Sequence, residues 1–161
     1  MSVEGQLTTN NGQQATASQP TTMTINEIQD EIIDEFSLFS DWMEKYEYII
    51  DLGKQLPLID KQYKDEDHLI KGCQSQVWLH AALEGNKVAF TADSDAVITK
   101  GIIALLIRVL SNQPAEAVAQ SELYFIDKIG LKEHLSPTRS NGLVSMVRQM
   151  KMYGLALHAK S

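Results

Sequence analysis

The apolar positions of the chain take on a helical spacing only after residue 22. Residues 1–22 consist largely of Thr, Gln, Asn, Ser and Gly and offer almost nothing to bury, which predicts a disordered N-terminal tail. Apolar side chains then recur every three or four positions from Ile25 to Phe39, as on one face of a helix. Thr24 and Glu27 fit the capping box that starts such a helix. The pattern therefore divides the chain into a tail, 1–22, and one folded domain, 23–161.

A second apolar stripe predicts another helix directly after the first. It runs from Trp42 to Ile50, with Ser40 or Asp41 as the N-cap and Gly53 as the glycine that ends the helix. Two amphipathic helices with so short a connection predict a helical hairpin at the start of the domain.

The period then changes from helical spacing to alternation, which is typical of β-strands. Apolar and polar positions alternate from Val77 to Leu83 and again from Val88 to Ala92, and the turn at 84–87 contains Gly85. This arrangement predicts a β-hairpin. A short third strand is expected at His68–Lys71.

The second half of the chain is predicted to be helical. A strongly apolar segment, 96–110, follows the capping residues 93–95, and Pro114 occupies the favoured first position of the next helix. Short helical pieces continue to Gly130, and the loop 134–142 leads into a final helix. The order of elements predicts an α+β fold, in which a small three-stranded antiparallel sheet is flanked by helices.

Composition narrows the function classes. The chain has 161 residues, 43% of them hydrophobic, and a net charge of −7, which fits one ordinary domain without a basic surface for nucleic acid. No apolar run approaches the length of a membrane span, and residues 1–22 lack the basic residues of a secretory signal. The single cysteine excludes an internal disulfide and a cysteine-rich metal site within one chain. A cytoplasmic location is therefore expected.

Cys73, the only cysteine, is the first candidate for chemistry. It follows Gly72 in a polar loop between two β segments, and such loops often hold functional groups. Lys71 could favour the thiolate, which is the reactive form of the side chain. The alternative is that Cys73 is a buried packing residue without a reaction, and the residues of the loop leave the two interpretations evenly balanced.

The other polar candidates give weaker signals. Arg139 stands where the loop 134–142 meets the final helix, and its guanidinium could grip a carboxylate, steady a thiolate or make ordinary surface contacts. Four histidines could in principle assist the thiol, but their spacing matches neither a metal site nor a catalytic triad. These are His68, His80, His134 and His158.

Several longer blocks of this sequence carry more information than single residues, and the most specific is the string Gly-Cys-Gln-Ser-Gln-Val-Trp at 72–78. It is accompanied by Asp41-Trp42, Tyr46, Leu-Gly-Lys-Gln-Leu-Pro at 52–57, and Leu-Ser-Pro-Thr-Arg-Ser-Asn-Gly at 135–142. In order and spacing these blocks cover nearly everything from Thr24 to the C-terminus. Together they resemble the SufE family of sulfur-acceptor proteins in iron–sulfur cluster biogenesis.

The resemblance implies a specific role for the domain 23–161. The chain would accept persulfide sulfur on Cys73 from a SufS-like cysteine desulfurase and would stimulate that enzyme. It would then deliver the sulfur to a SufBCD-like scaffold complex. The pyridoxal phosphate would belong to the desulfurase, and this chain would need no cofactor or metal. Arg139 would be the arginine of the C-terminal block, as a support or a partner contact, and the fold would resemble IscU-type scaffolds. This chain has Lys45 at the position before Tyr46, where the family pattern predicts an arginine. The lysine keeps the positive charge but lacks the planar guanidinium group that can make two parallel hydrogen bonds.

A persulfide carrier needs protection from oxidants and reductants, so the loop of Cys73 is expected to be partly sheltered. Three other functions compete with the carrier. A cluster scaffold needs several thiolates, a cysteine-dependent hydrolase or transferase needs a base such as His68 within reach, and a binding module could activate a desulfurase for another sulfur pathway without carrying sulfur. The chain could act as a monomer or a homodimer, with no nucleic-acid or membrane partner.

Overall fold

The computed structural model describes residues 23–160, so the predicted tail lies outside the described residues. In this part of the chain, two helices precede a β-hairpin, and a long central helix separates the hairpin from a short third strand and three further helices. The helices are α1 (Ile25–Phe36), α2 (Trp42–Lys54), α3 (Val97–Leu110), α4 (Ala115–Gln120), α5 (Phe125–Lys128) and α6 (Pro137–Lys160). The strands are β1 (Val77–Glu84), β2 (Lys87–Ser94) and β3 (Gln113–Pro114).

The sheet is antiparallel and has the order β1-β2-β3. Strands β1 and β2 pair along their whole length, from Val77 opposite Ser94 to Glu84 opposite Lys87. Gly85 adopts a φ of 68° in the turn between them, a conformation that favours glycine. The hairpin and the α+β class of three-stranded sheet with flanking helices are thereby confirmed.

The position of the third strand was predicted wrongly. Segment His68–Lys71 forms no strand, because a 3₁₀ turn occupies Glu66–His68 and the Gly72 turn follows, so that only Leu69 makes a bridge to Trp78. The third strand is β3, which pairs with the opposite edge of the hairpin. Pro114 belongs to this strand and serves as the N-cap of α4, so it is not the first residue of that helix.

The helix caps follow the sequence closely. Thr24 and Glu27 form the predicted capping box of α1, with hydrogen bonds of 3.1 and 2.9 Å. Asp41, the second of the two expected N-caps, accepts the Glu44 amide of α2 at 3.0 Å. The central helix begins at Val97, one residue after the predicted start.

The hydrophobic core surrounds α3. Most of its residues from Gly101 to Leu110 are buried, because α1, α2, α6 and the sheet cover different sides of the helix. In α6, Met146 and Met150 are also buried, while Tyr153 is partly buried. The methionine stripe of the final helix is therefore part of the core.

Helices α2 and α3 cross at two glycines. A Cβ atom on Gly53 would lie 2.9 Å from the Gly101 nitrogen, and one on Gly101 would lie 2.6 Å from Ile49 Cγ2. Gly53 was predicted to end α2, but it lies inside the helix, and Gln55 is the C-cap. Its role is the close approach of the two helix backbones.

No helix within residues 23–160 is long and apolar enough to span a membrane.

Candidate functional site

The loop that carries Cys73 rests against helix α6. Gly72 has a φ of 93°, which side-chain-bearing residues rarely adopt. A Cβ atom at this position would also overlap the Ser145 hydroxyl of α6. The backbone conformation therefore strongly favours glycine directly before the cysteine, and the contact with Ser145 adds to this preference.

The Cys73 side chain is half-buried between its loop and the first turns of α6. Its Sγ donates a weak hydrogen bond to the Gly142 carbonyl oxygen at 3.6 Å. A Cβ atom on Gly142 would lie 3.4 Å from Sγ, so a larger residue there would press on the thiol. This partial burial agrees with the expected shelter of the loop.

Burial raises the pKa of the Cys73 thiol and so favours the neutral form. Lys71 was expected to favour the thiolate, but its side chain is exposed and does not contribute to the shift. Desolvation of the sulfur dominates, and the electrostatic role predicted for Lys71 is not supported.

Cys73 and Arg139 line the same small cavity, whose volume is about 120 Å³. Arg139 lies in the first turn of α6, where its amide donates to Ser136 Oγ at 3.3 Å. The guanidinium is exposed and has no hydrogen bond or ion pair to any of the residues 23–160. The cation is therefore available to a ligand or a partner at the edge of the thiol cavity.

Thr99 is a cavity residue that the sequence analysis missed. It lies on α3, lines the cavity with Cys73, and is only 4% exposed. The available signal was a threonine inside an otherwise strongly apolar helix, but without the fold nothing connected Thr99 to the loop 26 positions before it.

The remaining lining separates into an apolar wall and a polar mouth. Ile102 and Met146 are buried and supply no hydrogen-bond donor. Gln74, Ser136 and Thr138 are exposed, and Ser75 is partly exposed.

Among the described residues, no histidine lines this cavity. The Nδ1 atom of His68 lies 2.7 Å from a carboxylate oxygen of Asp65. The His68 ring also contacts the ring of His80, which stacks on Tyr63 with ring centroids 3.7 Å apart. Burial, together with the neighbouring His68, lowers the pKa of His80. This cluster is a separate feature of the outer face of the sheet and gives the thiol no general base.

His134 belongs to a second aromatic group, which holds the loop before α6. Its ring stacks on Trp42 at 3.9 Å, and its backbone carbonyl accepts the Tyr46 hydroxyl. Lys45 Nζ lies 4.8 Å from the centroid of the Trp42 ring, so the lysine that replaces the expected arginine makes a cation–π contact. Two residues later in this loop, Ser136 reaches the thiol cavity.

A larger groove of about 530 Å³ lies on the neighbouring side of α6 and does not include Cys73. It contains the exposed side chains of Met152 and Leu155. The volume of a cavity therefore does not identify the candidate site, whereas the presence of the Cys73 thiol does.

Within residues 23–160 no cluster of His, Cys, Asp and Glu could hold a metal ion. The small cavity therefore combines one half-buried thiol with one exposed cation in its lining.

Comparisons with known proteins point to one family. The model of the SufE family, described as the Fe-S metabolism associated domain, matches residues 30–154. An uncharacterized SufE-like protein of Rhizobium etli is 40% identical over 127 residues, which cover 76% of this chain and 86% of that protein. A similar protein of Rhizobium meliloti is 39% identical over 127 residues, with 76% and 91% covered.

A plant relative and a solved structure extend the comparison. SufE-like protein 1, chloroplastic/mitochondrial, of Arabidopsis thaliana is 38% identical over 131 residues, which are 81% of this chain but 35% of that longer protein. The solution structure of a hypothetical protein from Thermus thermophilus superimposes with a TM-score of 0.70, covering 83% of this chain and 97% of that one. At 20% identity, this last likeness concerns the fold alone.

Proposed function

Because the chain belongs to the SufE family, whose domain is associated with iron–sulfur metabolism, we propose that Cys73 accepts sulfur from the persulfide of a cysteine desulfurase. The observation that carries the proposal is the position of the thiol. Cys73 is the only thiol of the chain, and it follows a glycine whose backbone conformation other residues rarely adopt. It shares a cavity with the cation of Arg139, which has no ion pair among residues 23–160.

The transfer is an exchange between two sulfur atoms and needs no external oxidant. The Cys73 thiolate attacks the terminal sulfur of the desulfurase persulfide and forms a new sulfur–sulfur bond. The bond between that sulfur and the desulfurase cysteine breaks, and the desulfurase cysteine leaves as a thiolate. The proton lost by Cys73 can return to that leaving thiolate through solvent, so protons and electrons balance.

The raised pKa of Cys73 suits a carrier better than a free-standing catalyst. In the isolated chain the neutral thiol reacts slowly, which limits unwanted oxidation. Docking to a desulfurase would have to supply the thiolate, either by moving the loop or by adding positive charge. Arg139 is the cation of this chain best placed to support it or to contact the partner.

The wider pathway is part of the same proposal. The domain 23–161 takes sulfur from a SufS-like desulfurase that contains pyridoxal phosphate, stimulates it, and delivers the sulfur to a SufBCD-like scaffold complex in the cytoplasm. This chain itself contributes the thiol and its surroundings, and it binds no cofactor of its own.

The experiment is an intact-mass measurement without reductant, after incubation with a cognate cysteine desulfurase and cysteine. The wild-type chain should gain the mass of one sulfur atom, and Cys73→Ala should gain nothing. The absence of an adduct on the wild type would disprove the carrier role. A Cys73→Ala chain that still stimulates the desulfurase fully would instead identify a binding module.

Arg139 is tested with two variants in the same assay. Arg139→Lys keeps the charge and Arg139→Gln removes it, while the exposure of the side chain predicts no loss of stability in either. Loading of Cys73 should slow about tenfold or more in Arg139→Gln, since a charged contact contributes on the order of 1.5–3 kcal/mol. Equal loading rates in all three chains would remove Arg139 from the site.

A further inference from the structure

Thr99 lines the Cys73 cavity and is buried, with only 4% of the residue exposed. Its hydroxyl makes no hydrogen bond to any of the residues 23–160. Buried polar groups are almost always paired, because burial without a partner costs stability. The exception therefore needs a physical explanation.

Two ordinary explanations fail for this residue. A helical threonine commonly donates to the carbonyl one turn earlier, but no such bond is present here. A threonine can also be a mere packing residue, but valine has the same shape without the unpaired hydroxyl, and most of the buried positions of α3 are apolar. What remains is the cavity, which Thr99 lines with Cys73.

We infer that Thr99 is a positioning residue whose hydroxyl donates a hydrogen bond to the sulfur atom carried on Cys73. The inference rests on the proposed function, since it concerns the persulfide and not the free thiol. The terminal sulfur of a persulfide can accept hydrogen bonds and is negatively charged when deprotonated. The hydrogen bond involves no covalent or redox step.

The rest of the cavity explains why Thr99 matters. The buried walls at Ile102 and Met146 cannot donate, and the polar side chains at the mouth are exposed to water. Thr99 is thus the buried side-chain donor of this lining, and the volume of about 120 Å³ accommodates one additional sulfur atom. A sulfur held at Thr99 would be turned inward, away from small reductants in solution.

The test compares Thr99→Val, which keeps the shape, with Thr99→Ser, which keeps the hydroxyl. Cys73 is loaded chemically with inorganic polysulfide, so that no desulfurase is needed. The loss of the added sulfur to dithiothreitol is then followed by intact mass. Thr99→Val should lose its sulfur several-fold faster than the wild type, and Thr99→Ser should stay close to the wild type.

A thermal melt of the unloaded proteins separates positioning from structural support. Thr99→Val should melt at the same temperature as the wild type or higher, because it removes an unpaired buried hydroxyl. Equal sulfur lifetimes in the three chains, or a wild type that retains no sulfur from polysulfide, would overturn the inference. Sulfur that is retained from polysulfide but never accepted from a desulfurase would overturn the proposed function alone.

Discussion

At the scale of single residues, desolvation and not a neighbouring charge shifts the pKa of the Cys73 thiol. The cavity is lined by two buried apolar side chains and the buried Thr99, with an exposed guanidinium at its edge, and Sγ contacts one carbonyl oxygen. Burial of the sulfur raises the pKa of the thiol and so favours its neutral form in the free chain.

This predicts a slow and strongly pH-dependent alkylation. Because the pKa is raised in the folded chain, the thiolate fraction at neutral pH is smaller than in the unfolded chain. The rate with iodoacetamide should therefore rise at higher pH in the folded protein than in urea. The assay reports a single site, since the chain has one cysteine. Coincident pH profiles would show that the fold does not shelter the thiol.

Residue-level prediction from sequence succeeded where a local pattern carries the information. Gly72 and Cys73 are adjacent in the sequence block 72–78, which indicated the candidate thiol. The structure shows why glycine occupies position 72, since its φ is positive and it packs closely against Ser145. For Lys71, proximity in sequence was not enough, since its side chain is exposed and burial accounts for the pKa shift of Cys73. Thr99 could not be predicted, since its significance depends on the burial of its hydroxyl.

At the scale of elements, the position of the core helix α3 is fixed by its crossing with α2. Gly53 and Gly101 remove side chains at the point of contact, so the two backbones meet directly. Helix α3 also supplies Thr99 and Ile102 to the thiol cavity. The spacing of these two helices therefore bears on the geometry of the site.

Substitution of Gly101 tests this packing. In Gly101→Ala, the new methyl group would lie 2.6 Å from Ile49 Cγ2 and overlap the Ile49 carbonyl. The clash outweighs the better helix propensity of alanine, and we expect a net loss of about 2 kcal/mol in the free energy of unfolding. Urea denaturation measures it. Val97→Ala, an exposed change on the same helix, is the matched control and should stay within about 0.5 kcal/mol.

Elements were predictable where periodicity and caps agree, as in α1, α2 and the hairpin. The third strand was not, because β3 has only two residues and contains a proline, which removes one backbone donor. Its pairing depends on where α3 returns the chain to the edge of β2. Such a tertiary contact leaves no periodic trace in the sequence.

At the scale of the whole molecule, the thiol cavity is assembled from distant parts of the chain. The Cys73 loop, α3 and the start of α6 form its walls, while α2 holds the loop before α6 through Trp42 and Tyr46. Two of the sequence blocks that resemble the family, 72–78 and 135–142, thus meet around one thiol. Their order in the chain was visible beforehand, but their convergence was not.

The support from α2 predicts an effect at a distance. Tyr46→Phe removes the hydrogen bond to the His134 carbonyl and should loosen the loop that leads to Ser136. Iodoacetamide should then alkylate Cys73 several-fold faster, with a stability loss of about 1 kcal/mol. Tyr63→Phe is the control, because the Tyr63 ring stacks on His80 outside the cavity. Unchanged alkylation in Tyr46→Phe would show that this loop does not control access.

The solitary, half-buried state of Cys73 also determines how a carried sulfur can be lost. A persulfide next to a second thiol can discharge internally, by forming a disulfide and releasing sulfide. This chain has no second cysteine, so discharge requires a collision with another molecule. If Cys73 carries sulfur as proposed, the rate at which that sulfur is lost depends on collisions with other molecules and on their access to the half-buried side chain.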